Sequence, residues 1–89
     1  MTIHSIAVLG AGIMGRGIAY AAALGGHRTV LHDTRAEALD QAKAEIASLL
    51  EKGVAGGKVP GEAAAAARER LSTVRGLVDA ARGADLVIE

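Results

Sequence analysis

An α/β fold built on a parallel sheet is what this sequence predicts, and three observations carry the prediction. Short apolar runs with β-branched centres alternate with longer runs of helical period. The first apolar run, IHSIAVL at 3–9, passes directly into Gly10-Ala11-Gly12-Ile13-Met14-Gly15, with glycines at spacings of two and three. An acidic residue, Asp33, closes the second apolar run.

Each element has its own signal. Residues 3–9 form a first strand, apolar without a break toward its end as a strand buried on both faces requires. From Ile13 the period changes: Met14, Ile18, Ala21 and Leu24 fall on one helical stripe, and Gly25-Gly26 supplies the stop. RTVLHD at 28–33 is the second strand. Thr34-Arg35-Ala36-Glu37 has the form of a capping box and predicts a helix over 35–52. That helix places Leu39, Ala42, Ile46, Leu49 and Leu50 on one side, and Asp40, Lys43 and Glu51 on the other.

Glycines and Pro60 make 52–61 a loop. Residues 62–70 read as a helix, acidic at its start and basic at its end to suit the helix dipole. Residues 71–75 form a third strand, 76–83 a short helix stopped by Gly83, and 84–89 open a fourth strand. The order is β-α-β-α-α-β-α-β, with a helical insertion between the second and third strands. The chain ends inside the fourth strand, so residues 1–89 are expected to be a partial domain of a longer protein.

Composition excludes several functions. Ten basic and ten acidic residues cancel, and no Lys/Arg run exists, so no nucleic-acid or anionic-membrane footprint is visible. Without cysteine there are no disulfides and no thiolate metal ligands. Residues 5–23 are apolar, but Arg16 and the glycines interrupt them, which removes both a secretory signal and a membrane span. A soluble, cytoplasmic protein is expected. With no Phe or Trp and much of the apolar content in alanine, stability in isolation is expected to be low.

The glycines have a chemical reading. Strand, glycine loop and helix in a βαβ unit make the context of a Rossmann-type dinucleotide site. Gly10 permits the tight turn, Gly12 lets backbone approach a pyrophosphate, and Gly15 lets the helix lie against the strand. The N–H groups near Gly12, Ile13 and Met14 then face an anion at the positive end of the helix dipole. Gly17, in mid-helix, predicts one more turn of close helix–sheet contact. Asp33 lies twenty-one positions after Gly12, where a carboxylate accepts hydrogen bonds from the adenosine ribose. It would repel a 2′-phosphate, which argues for NAD over NADP. Arg35, two residues on, softens that preference.

The remaining titratable residues carry less. His4 and His27 are expected in solvent at strand edges, and His32 beside Asp33 is expected to be structural. No two histidines are spaced as metal ligands. No Ser/His/Asp arrangement suggests a nucleophile. Lys52 and Lys58 flank the loop, where they are available to the phosphates of a long polyanionic substrate.

The run Gly10-Ala11-Gly12-Ile13-Met14-Gly15-Arg16-Gly17-Ile18-Ala19 resembles the start of the 3-hydroxyacyl-CoA dehydrogenases. Met14 before the third glycine and Gly17-Ile18-Ala19 after it are its distinguishing details. The similarity continues through VLHD, the long helix, the extra helix before the third strand and ADLVIE at 84–89. It implies NAD-dependent interconversion of L-3-hydroxyacyl-CoA and 3-ketoacyl-CoA. It also implies that Gly10, Gly12, Ile13, Met14 and Gly15 cradle the pyrophosphate and that Asp33 holds the ribose. Lys52 and Lys58 then fall near the CoA moiety. The family's catalytic histidine and glutamate, and the helical domain that completes its substrate site and homodimer, lie beyond residue 89. No residue here is expected to be catalytic. The 3-hydroxyisobutyrate and 6-phosphogluconate dehydrogenases fit less well after the third glycine and lack the insertion. A non-catalytic NAD-sensing module is the alternative outside enzymes.

Overall fold

The computed structural model describes residues 3–89. The chain runs Ser5–Leu9 (β1), Ile13–Leu24 (α1), Arg28–His32 (β2), Ala36–Ala55 (α2), Gly61–Arg70 (α3), Leu71–Val74 (β3), Leu77–Ala81 (α4) and Leu86–Ile88 (β4). The four strands form one parallel sheet in the order β3-β2-β1-β4. Val8 stands opposite Leu31, and Ala7 opposite Val87 and Val30. The predicted element order and the insertion between β2 and β3 are both present.

The strand order reverses once. The crossovers from β1 to β2 to β3 step in one direction, and the crossover from β3 returns past β1 to β4. Crossovers of this kind are right-handed, so the reversal carries α4 to the face opposite α1, α2 and α3. Packing agrees. Residues of α1, α2 and α3 share one apolar cluster with Ile6, Val8 and Leu31. Ala80 of α4 instead stands beside Val30 and Arg28 around a separate hollow.

Leu31, Leu50, Val8 and Thr29 are the largest fully buried side chains. Complete burial of Leu31 and Leu50 is worth about 1.5–3 kcal/mol each. The Thr29 hydroxyl donates to the His27 carbonyl at 3.0 Å, so its burial leaves no polar atom unsatisfied. Only β1 is buried on both faces. In β2, Thr29 and Leu31 are buried, while Val30 and His32 on the other face are half-buried and Arg28 is exposed.

Several local expectations are corrected. The buried face of α1 is Ala19, Ala22 and Ala23, and Met14 is 79% exposed. Ile18 and Leu24 of the predicted stripe are half-buried against the core, the fully buried positions are alanines, and Ala21 and Met14 are exposed. Gly17 makes no such contact, since a Cβ there would meet nothing within 4 Å. Leu49 also falls off the buried face of α2, at 39% exposed.

The predicted loop at 52–61 begins later, because α2 runs on to Ala55. Gly53 belongs to that helix, and a Cβ on it would sit 2.7 Å from the Val59 side chain. The chain folds back there, and the Lys58 and Val59 N–H groups both donate to the Gly53 carbonyl. The capping box does not form: among the described residues no side chain caps α2 through its N-cap residue, Arg35. Asp33 intervenes, its Oδ1 accepting the Arg35 N–H at 2.9 Å in a turn of the Asx kind. His27 is half-buried rather than solvated, with Nδ1 donating to the Ile3 carbonyl at 3.0 Å.

Candidate dinucleotide-binding site

In an open parallel sheet the ligand crevice lies beyond the C-terminal ends of the strands, where strand order reverses. Here that point lies between β1 and β4, and β1 ends on the glycine loop. Gly10 adopts φ +104°, a left-handed conformation that a side chain disfavours. Its N–H donates to the His32 carbonyl at 2.7 Å, tying the loop to the end of β2.

The next two glycines act differently. A Cβ on Gly15 would collide with the Gly10 carbonyl, whose carbon would lie only 2.9 Å away. Glycine at 15 is therefore a condition for α1 to start directly above the turn. A Cβ on Gly12 would meet nothing within 4 Å and would project into open space. The protein itself does not need that space. A group bound against the Gly12 backbone would.

Gly12 is the N-cap of α1, and the first turn carries neither a side-chain cap nor an acidic residue among the described residues. The first helical N–H groups, at Ile13 and Met14, have no carbonyl partner in the helix and sit at the positive end of its dipole. Backbone donors, positive potential and a vacated Cβ position together suit a diphosphate. The cleft in front of them has a volume of about 330 Å³ and is lined by Gly10, Gly12, Ile13, Met14, Ile18 and Glu89, among others. Ile13 and Met14, 81% and 79% exposed, form its apolar lip.

Asp33 stands at the end of β2, only 6% exposed. Its Oδ2 accepts the Ala11 N–H at 3.0 Å, which joins the carboxylate directly to the glycine loop. Arg35 approaches in fork geometry, with Nε donating to Oδ1 and Nη2 to Oδ2, both at 3.0 Å. The Arg35 guanidinium holds the Asp33 carboxyl far below the usual carboxylate range, helped by the Ala11 and Arg35 N–H donors against the cost of burial. It is a fixed negative charge at any physiological pH.

The structure thus brings Gly10, Gly12, Ile13, Met14, Gly15 and Asp33 into one region, as the sequence predicts. Glu89 is an addition. Its place in the cleft follows from β4 lying beside β1, a fact of topology with no signature in residue spacing. Lys52 and Lys58 are exposed and lie away from this cleft. The His32 Nε2 is buried without a hydrogen-bond partner. Among the described residues no three His, Asp or Glu side chains converge as a metal site.

Two other hollows are as large or larger. One of about 360 Å³ lies between α2 and α3 beside Leu50, Val54, Ala64 and Arg68. Another of about 530 Å³ lies at the opposite end of the strands, beside His4, Ser5, Arg28 and Arg70. Neither combines backbone donors with the strand ends, so chemistry rather than size selects the glycine cleft.

Fold and cleft together define a dinucleotide-binding domain of Rossmann type. The family model described as 3-hydroxyacyl-CoA dehydrogenase, NAD binding domain, matches residues 5–89. The chain belongs to that family, and the isobutyrate-type dehydrogenases and sensing modules are set aside. It is 41% identical over 87 residues to the fatty acid oxidation complex subunit alpha of Idiomarina loihiensis, covering 98% of this chain and 12% of that protein. It is 40% identical over 89 residues to 3-hydroxyadipyl-CoA dehydrogenase of Escherichia coli, covering 100% and 18% respectively. The crystal structure of 3-hydroxybutyryl-CoA dehydrogenase from Escherichia coli K12 superposes with a TM-score of 0.92 at 39% identity, over 98% of this chain and 18% of that one. The chain therefore spans less than a fifth of the length of each of these relatives.

The two glycines separate folding from binding. Gly12→Ala is expected to leave the urea midpoint unchanged within error while weakening NAD at least tenfold in calorimetric titration. Gly15→Ala is expected to lower the midpoint as well, through a loss of unfolding free energy of about 1–3 kcal/mol, typical of overpacking. Equal stability of the two variants contradicts the packing role of Gly15.

Asp33 has a pH signature. A carboxyl depressed in the folded state contributes stability that is fully present above its unfolded pKa, about 3.9, and is lost as pH falls through its folded value. Unfolding free energy measured between neutrality and about pH 5 is thus independent of this group, and an acid limb appears below the unfolded pKa. Asp33→Asn is expected to flatten that limb, and an unaltered limb rules the linkage out.

Proposed function

We propose that this chain is the NAD-binding part of a longer oxidoreductase that interconverts L-3-hydroxyacyl-CoA and 3-ketoacyl-CoA. The observation that carries the reading is the pairing of the free amide cluster at Gly12–Met14 with the Asp33 carboxylate, joined through the Ala11 N–H. The first suits a diphosphate and the second a ribose diol, and both belong to the nucleotide half of NAD. Family membership and relatives named for 3-hydroxyacyl-CoA substrates support the substrate class.

In this reading Gly10 and Gly15 shape the loop, while the backbone at Gly12, Ile13 and Met14 holds the pyrophosphate. Asp33 orients the ribose and opposes a 2′-phosphate by charge. Hydride acceptance is the chemistry that the nicotinamide supplies when bound; the residues of this chain bind and orient. The family resemblance puts the acid–base groups and the domain that completes the acyl-CoA site in further parts of the enzyme. The exposed apolar residues Leu77, Val78, Leu86 and Val87 support the same reading, as surface that a larger domain would cover.

Assembly as a homodimer through a helical domain and a cytoplasmic location belong to this reading and follow the family resemblance. No helix of the described residues is long and apolar enough to cross a membrane.

Asp33→Ala is expected to weaken NAD binding to the chain more than NADP binding, by about tenfold, the scale of hydrogen bonds to a charged group. Equal losses for both cofactors, read by calorimetry, count against the ribose role. By itself the 89-residue chain is expected to bind NAD yet produce no NADH from a 3-hydroxyacyl-CoA. Turnover above a no-protein control overturns the assignment of the acid–base groups to other parts of the enzyme.

A further inference from the structure

The Asp33 carboxylate has no acceptor site left for a sugar. Oδ1 accepts the Arg35 N–H and the Arg35 Nε–H, and Oδ2 accepts the Ala11 N–H and the Arg35 Nη2–H. A carboxylate offers about four lone-pair sites, and all four are taken. Two of those donors are backbone N–H groups fixed by the glycine loop and the turn into α2. The other two belong to one guanidinium, whose side chain is 63% exposed while that of Asp33 is 8% exposed. Only the guanidinium is free to leave.

We propose that Arg35 is a displaceable clasp on Asp33 that sets cofactor specificity: it yields Asp33 to the ribose of NAD, and pairs with the 2′-phosphate of NADP in its second position. This rests on the reading of the glycine cleft as the cofactor site. Releasing the fork frees two acceptor positions, which matches the two hydroxyls of a ribose. The released guanidinium remains within one side-chain's reach of the carboxylate, so it lies beside the ribose 2′ position that Asp33 contacts. A planar guanidinium binds a phosphate in the same fork geometry it now shows toward a carboxylate. Asp33 repels a 2′-phosphate and Arg35 attracts it, so the pair gives NAD preference without strict exclusion of NADP.

The clasp has opposite consequences for the two cofactors. For NAD the Asp33–Arg35 ion pair is a competitor, since it must open before the ribose docks. For NADP the same arginine supplies the only cation found beside that carboxylate among the described residues.

The test titrates NAD and NADP separately into the full chain, unsubstituted and as Arg35→Ala and Arg35→Gln, with calorimetry as the readout. The unsubstituted chain is expected to bind both, NAD more tightly. Both variants are expected to lose NADP affinity by tenfold or more while NAD affinity holds or rises up to threefold. The proposal is overturned if NADP fails to bind the unsubstituted chain at millimolar concentration, or if either variant leaves the ratio of the two affinities unchanged. Asp33→Ala and Gly12→Ala run alongside. If neither weakens NAD, the cofactor site itself is misassigned. If they do and the arginine variants leave the ratio unmoved, only the clasp fails.

Discussion

The hydrogen bond from the Ala11 N–H to Asp33 Oδ2 is the contact on which the site depends. It spans the ends of two adjacent strands and fixes the loop after β1 against the turn after β2. A buried, permanently ionised carboxylate makes this bond strong, because donor and acceptor meet where water does not compete. The same atoms thus do two things. They hold the backbone that faces the diphosphate, and they present the charge that faces the sugar. The two functional halves of the crevice are therefore one mechanical unit, and neither half is free to drift relative to the other.

Much of this was legible in the sequence, because it depends on backbone. Gly10 and Gly15 are glycine for reasons a spacing reveals: one holds φ +104°, and the other lies where a Cβ would strike a carbonyl. Strand and helix order followed from period. What the sequence did not show was the outcome of competition between neighbours. Thr34 has the form of a cap, yet α2 takes Arg35 as its N-cap residue, with no side-chain cap among the described residues, and the Arg35 N–H goes to Asp33. Met14 matches a helical stripe, yet it stands at the open start of α1 and is exposed, while Ile18 and Leu24 of the same stripe do pack on the core around buried alanines. Gly53 reads as part of a loop and is instead the position in α2 where the Val59 side chain comes so close that a Cβ would sit 2.7 Å from it.

Glu89 and Arg35 show a further limit of reading along the chain. Glu89 joins the cleft only because the sheet reverses its order and seats β4 beside β1. Arg35 reads as a charge near an acid, and its fork on Asp33 emerges only with coordinates. Spacing reports what backbone must do locally. It is silent on which distant strand becomes a neighbour, and on which of several donors wins an acceptor.

The alanine face of α1 has a consequence of its own. Ala19, Ala22 and Ala23 seat the helix with almost no cushion between its backbone and the strands. Helix and sheet are coupled like a lever on a hard fulcrum, because a packed interior transmits displacement instead of absorbing it. Ala23 is 1% exposed, so an added methyl there has no free volume to enter and strains the seat of the helix that carries the Ile13 and Met14 amides. The seat of the binding loop is in this way set partly by residues outside the cleft, which touch only sheet and helix.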